Sequence, residues 1–202
     1  MTQPLLSRRH HDPRPALPVL EDLRLTLARL HELCGIARRT LALLVAGQVA
    51  GPVYWIAPAW GSDPLNPDGM RSLARPESFV FLSPRRPEDL LWSMEEILRS
   101  GTVPLVVADL PEPPGLTPVR RLHLAAEAGM ATGPCAPLGL ILTPGEGGAP
   151  GVESRWRLEP RHSPGAARWQ LDRLRARTAP QKTWQMAQQD GAMRLTPAAI
   201  AA

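Results

Sequence analysis

Apolar residues in this chain fall into short runs separated by longer amphipathic stretches, and these runs set the expected elements. Leu30–Cys34 (LHELC) reads as a short strand. Val53–Ala57 (VYWIA), bounded by Gly51-Pro52 and Pro58, reads as a fully buried one. Gly35 breaks the first strand, and Arg38 to Ala50 then runs almost without charge, as a buried helix does. Ser78–Leu82, Val103–Ala108 and Leu138–Leu142 are further apolar strands. Pro87 to Arg99 is the clearest helix. Pro87 suits its first position, Glu88 and Asp89 its first turn, Leu90, Leu91, Met94, Ile97 and Leu98 form one stripe, and Gly101 is the stop. Thr117 caps a further helix that Pro118 starts and Gly129 closes. Strands and helices alternate from Leu30 to Leu142, which predicts a mostly parallel, doubly wound α/β sheet.

The pattern differs at the two ends. Leu20, Leu23, Leu27 and Leu30 stand at helical spacing, so the segment from Glu21 to Arg29 is expected to be a helix packed on the sheet. Asp68 to Ala74 fits a short helix ended by Arg75-Pro76. Ser154–Glu159, Arg168–Asp172 and Thr183–Met186 each alternate polar and apolar around a tryptophan. With no helix between them, they predict an antiparallel meander extending the sheet. Residues 1–18 hold four prolines and a basic cluster and read as a flexible arm. The domain is then 19–190, with a weakly patterned tail at 191–202.

Composition adds limits. At 202 residues, 44% of them hydrophobic, the chain is long enough to bury one sizeable core. Its net charge of +4 permits nucleic-acid contact without demanding it. Cys34 and Cys135 lack metal-ligand spacing and need no pairing, so a reducing cytoplasm is the expected location. Thr40 to Ser62 carries no charge, yet Gly47-Gln48, Gly51-Pro52 and Pro58 interrupt it, and no membrane span is expected. Leu5-Leu6 is too short for the apolar region of a signal peptide.

A strand, a turn and a buried helix form the framework on which nucleotide-binding α/β proteins hold phosphate. Here the turn is Cys34-Gly35-Ile36-Ala37-Arg38-Arg39-Thr40. A phosphate loop needs several glycines and a Lys-Ser/Thr pair. This turn has one glycine, and Lys182 is the chain's only lysine. The expectation is therefore no ATPase activity and no cofactor or metal. Asp109 ends a strand where a magnesium-binding carboxylate would stand, and is assigned to a cap or turn. Glu32 is expected to be a solvated strand-end carboxylate. Glu95 and Glu96 are assigned to a solvated helix face, and His123 with Glu127 to a surface pair. His31, His123 and His162 have no nucleophile arranged by motif.

Two sets of arginines remain as candidate sites. Arg38 and Arg39 start a buried helix, where the dipole disfavours cations, so an anion or an acidic partner surface would relieve the conflict. Arg155, Arg157, Arg168, Arg173 and Arg175 lie on the meander among tryptophans, as in a single-strand DNA platform. Period two offers a simpler arrangement as well, with tryptophans toward the core and arginines toward water.

Three blocks carry a resemblance. LHELCGIARRTLALLVAGQVAGPVYWI, FVFLSPRRPEDLLWSMEEILRSGTVPLVVADL and RRLHLAAEAG resemble the ImuA family, RecA-like accessory factors of damage-induced mutagenesis in bacteria. The likeness spans about Leu30 to Trp184, and RRPEDLLWSMEEILRSG is its most specific part. It implies a degenerate RecA-like core serving in SOS translesion DNA synthesis. The implied partners are an ImuB-type Y-family polymerase-like protein and an error-prone DNA polymerase complex, with RecA a further candidate. Single-stranded DNA binding through the arginine face, and a SulA-like inhibitor of cell division, are the alternatives.

Overall fold

In the computed structural model, residues 15–189 and 192–198 are described. The apolar runs assemble side by side into one nine-stranded sheet. Its strands are β3 (Leu30–Cys34), β4 (Val53–Ile56), β5 (Phe79–Leu82), β6 (Leu105–Asp109), β7 (Leu138–Leu142), β8 (Ser154–Pro160), β9 (Arg168–Ala176), β10 (Lys182–Gln189) and β11 (Ala192–Pro197). Their order across the sheet is β11-β10-β9-β8-β3-β7-β6-β4-β5. From β8 to β5 all neighbours are parallel, and from β8 to β11 all are antiparallel. The expected α/β sheet, mostly parallel with an antiparallel extension, is what the chain forms. β3 sits near its middle, between β7 and β8.

Helices cover the parallel part on both faces. α1 (Arg38–Ala46) packs on one side, and α3 (Pro87–Ser100) and α4 (Leu116–Thr132) on the other. Leu41 to Ala46 of α1 are all buried, against Leu33, Trp55, Val107 and Leu140 of the sheet. The stripe on α3 buries Leu90, Met94 and Leu98 against Val106, Ala108 and Ile141. α2 (Pro67–Met70) is a single turn, shorter than the expected helix at 68–74, and Met70 anchors it in the core.

Three expectations change. The segment predicted as a helix from Glu21 to Arg29 is instead part of a hairpin of β1 (Ala16–Leu20) and β2 (Leu23–Thr26). Leu23 and Leu25 are fully buried while Arg24 is exposed, so period two wins over the equally legible helical spacing. Ala28, at φ 53°, then turns the chain into β3. Gly129 does not close α4, which continues to Thr132. A Cβ at Gly129 would lie 2.1 Å from the carbonyl oxygen of Leu98, so this glycine lets α4 press onto the end of α3. Gly101, at φ 62°, is the α3 stop, as expected. The third change concerns the ends. β1 begins inside the segment 1–18, whose first 14 residues lie outside the described residues, and β11 occupies 192–197 of the segment assigned to the tail.

Candidate functional site

The turn after β3 decides what the centre of the sheet can hold. In a phosphate loop the turn amides point at the ligand. Here those of Gly35, Ile36 and Ala37 are spent on protein acceptors. The amide of Gly35 donates to the carbonyl oxygen of Gly145 at 2.8 Å and that of Ala37 to Leu158 at 3.1 Å. The amide of Ile36 donates to the carboxylate of Glu159 at 3.2 Å, so a side-chain anion sits where a phosphate oxygen would be sought. Gly35 takes φ 89°, and a Cβ there would meet the Leu158 carbonyl oxygen at 2.6 Å. The turn is pressed flat against β8, which only glycine permits.

Arg38 and Arg39 follow, and the anion that relieves them at the helix start is Asp109. The Nε of Arg39 donates to Asp109 Oδ2 at 2.6 Å, and Arg38 Nε lies 3.6 Å from Oδ1. Asp109 is 4% exposed and ends β6 as a buried counter-ion, not as the cap or turn residue expected. Arg39 also donates through Nη1 to Asp63, both to its carboxylate and to its carbonyl oxygen, each at 2.7 Å. Around these groups opens a cleft of about 460 Å³, at the carboxyl ends of β4, β5 and β6. That is where open α/β sheets bind ligands. Trp55, Leu65, Phe81 and Leu110 form its apolar walls. Asp63, Leu65 and Phe81 carry no motif, and sequence reasoning missed them.

Glu32, expected at the surface, is fully buried. Register explains it. β3 lies beside β8 with Glu32 opposite Arg155, and the guanidinium and carboxylate form an ion pair. The carboxylate also accepts from Thr143 Oγ1 and from the amides of Gly148 and Ala149, tying down the glycine-rich loop after β7. One row along, Arg157 faces Asp172 and donates to it at 2.9 and 3.1 Å. Burial acts to raise the Asp172 carboxyl, but hydrogen bonds from Thr183, Gln170 and Arg157 outweigh it and hold the group below the usual carboxylate range. Arg157 also pairs with Glu146.

The meander therefore does not present its arginines as a single basic face. Arg155 and Arg157 are neutralised within the sheet. Trp156 and Trp184 are buried, as period two required, with ring centroids 5.7 Å apart. Arg173 lies on their side of the sheet, its guanidinium 5.5 Å and 5.2 Å from the two rings. Regular register puts it there, since Arg173 stands two residues after the buried Leu171 and pairs with Trp156. Arg168 and Arg175 are exposed and make no ion pair among the described residues.

The remaining titratable groups are structural. His31 is buried. Its Nδ1 lies 2.7 Å from Ser154 Oγ and its Nε2 lies 3.0 Å from the Thr26 carbonyl oxygen. Ser154 Oγ also accepts from the Trp156 indole at 2.8 Å, so this Ser–His contact is saturated at both ends and carries no free nucleophile. Burial pushes the His31 imidazole down to about 4, against its hydrogen bond to Thr26. The Cys34 thiol is pushed up to about 12, by burial first and by Glu32 second. His123 is not paired with Glu127. It accepts from the Leu30 amide and contacts the Gly151 carbonyl oxygen, while Glu127 bonds Arg29. Glu95, assigned to a solvated face, is 7% exposed and pairs with Arg99 and with Arg121 of α4. Glu96 is half exposed, as expected. Among the described residues, no group of three or more candidate metal ligands converges. Nor is any helix among them long and apolar enough to cross a membrane.

No family model matches the chain, and no curated protein matches it. Among solved structures, the crystal structure of SulA from Pseudomonas aeruginosa is similar at 21% identity and a TM-score of 0.46. That likeness covers 57% of this chain and 98% of that one.

Proposed function

We propose that this protein is a non-catalytic, RecA-like accessory factor of damage-induced translesion DNA synthesis, an adaptor that binds an ImuB-type polymerase-like partner. The observation that carries the reading is the closed turn after β3. The strand, turn and helix of a nucleotide site are kept, while the Gly35, Ile36 and Ala37 amides bond to Gly145, Glu159 and Leu158. A core of this shape without a phosphate receptor is useful for its surfaces. The resemblance of the block Arg85 to Gly101 to the ImuA family supplies the pathway and the partner.

The test has two arms. A fluorescent ATP analogue should show no binding tighter than about a millimolar, roughly 4 kcal/mol. Co-expression with an ImuB-type protein should give a complex that survives size-exclusion chromatography. Nucleotide binding at micromolar concentration would refute the closed turn. A folded ImuB-type partner that elutes alone would refute the adaptor.

A further inference from the structure

The cleft at the carboxyl ends of β4, β5 and β6 has a feature that folding alone does not require. Arg39 is held from two sides. Asp109, 5% exposed along its side chain, is a fixed counter-ion, whereas the Asp63 side chain is 84% exposed and stands on the loop joining β4 to α2. An exposed arginine–carboxylate pair contributes little to stability, so a second carboxylate could take the place of Asp63 at slight cost. Arg38, which also lines the cleft, has its Nε buried with no hydrogen-bond partner. That Nε lies 3.6 Å from Asp109 Oδ1, so the Arg38 charge is compensated from inside the protein and the exchangeable contact of the cleft is the one between Arg39 and Asp63.

The surroundings match an acidic ligand with an apolar neighbour. Phe81 is 54% exposed and Trp60 50%, beside a cleft whose walls are apolar. Arg85 and Arg86 follow the cleft residue Ser83 along the chain, are exposed, and make no ion pair among the described residues. Exposed apolar side chains thus adjoin the cleft, and two exposed arginines follow it along the chain. Nucleic acid is disfavoured here, because it gains affinity by neutralising several phosphates along a basic track. In this cleft Arg38 and Arg39 are already balanced by Asp109 and Asp63. Exchanging one carboxylate for another leaves that balance intact.

We infer that this cleft receives an acidic segment of a partner protein. A carboxylate of that segment replaces Asp63 at Arg39, and an adjacent apolar side chain seats between Leu65 and Phe81. The inference rests on the adaptor reading only for which protein carries the segment.

The experiment titrates the isotope-labelled full chain with the peptide acetyl-Asp-Phe-Asp-Leu-amide, followed by amide chemical shifts. Its uncharged twin, acetyl-Asn-Phe-Asn-Leu-amide, is titrated beside it. The acidic peptide should shift the amides of 57–66, 81–86 and 109–111, and the twin should bind about tenfold more weakly or worse. Arg39→Gln should weaken the acidic peptide about tenfold. Asp63→Asn, which removes the resident competitor, should tighten it about two- to fivefold. Glu77→Gln, at an exposed acid elsewhere, should change nothing. Should Arg39→Gln disturb the fold, the sign of the Asp63→Asn effect still decides. The inference is overturned if no shifts appear at millimolar peptide, if the twin binds equally, or if Asp63→Asn weakens binding. Stronger shifts of the same amides by a ten-residue oligo-dT would overturn it too. Co-purification keeps the two proposals apart. An ImuB-type complex that forms equally with Arg39→Gln refutes the cleft and leaves the adaptor standing. A wild-type chain that forms no complex refutes the adaptor, while the titration still judges the cleft.

Discussion

Arg155→Met should destabilise the protein severely, although arginine at a strand position facing away from the tryptophans looks replaceable. The reason is Glu32. Its carboxylate is wholly buried, and Arg155 is the only cation paired with it among the described residues. Removing the guanidinium leaves a buried charge held only by Thr143 Oγ1 and two amides. Breaking one side of such a pair costs about 3–5 kcal/mol. For a chain of this size that lowers the melting temperature by roughly 6–20 °C, at 2–4 °C per kcal/mol. Urea unfolding of the purified chain measures the same loss as a lower midpoint at unchanged slope. The double variant Glu32→Leu with Arg155→Met should recover part of it, because the charge is then gone. A melting temperature within about 2 °C of wild type, under 1 kcal/mol, would refute this account. Arg155 would then be a side chain available for DNA, and a matching loss of single-strand affinity in the variant would support that platform instead.

Other outcomes follow from the same buried groups. His31 carries a pH dependence. Its imidazole titrates near 4 in the folded state and near 6.5 when unfolded, so the unfolded chain binds more protons between those values and stability falls as pH drops. Wild type should lose about 2 kcal/mol between pH 7 and pH 5, and His31→Gln should flatten that stretch of the urea-derived curve; a parallel curve in the variant would contradict it. Trp156→Ala should cost roughly 3–5 kcal/mol, since Trp156 is 2% exposed and packs on Trp184; an unchanged melting point would place the ring at the surface. Cys34 should resist iodoacetamide in the native protein at pH 8, with its thiol pushed up to about 12, and peptide mapping that finds it alkylated as fast as in urea would show that the strand opens.

Much of the architecture follows from local pattern. Five apolar runs of strand length, the stripe on α3 and the period-two meander each bury one kind of surface, so their type is legible residue by residue. The lack of a phosphate-loop motif is legible too, because a missing lysine and missing glycines are facts of one short segment, whereas the bonding of its amides to Gly145, Glu159 and Leu158 is not. The hairpin of β1 and β2 was not, since Leu20, Leu23 and Leu27 fit helical spacing while Leu23, Leu25 and Leu27 fit period two, and only the core chooses between them. Pairings across long sequence separations were equally hidden. Glu32 meets Arg155 because β8 lies beside β3, and Asp109 meets Arg39 because β6 ends near the start of α1. A polar residue's partner is set by strand order and register, not by its neighbours in the chain. Local periodicity therefore determined which segments become strands and helices, while tertiary packing decided which charges cancel and where the open cleft lies.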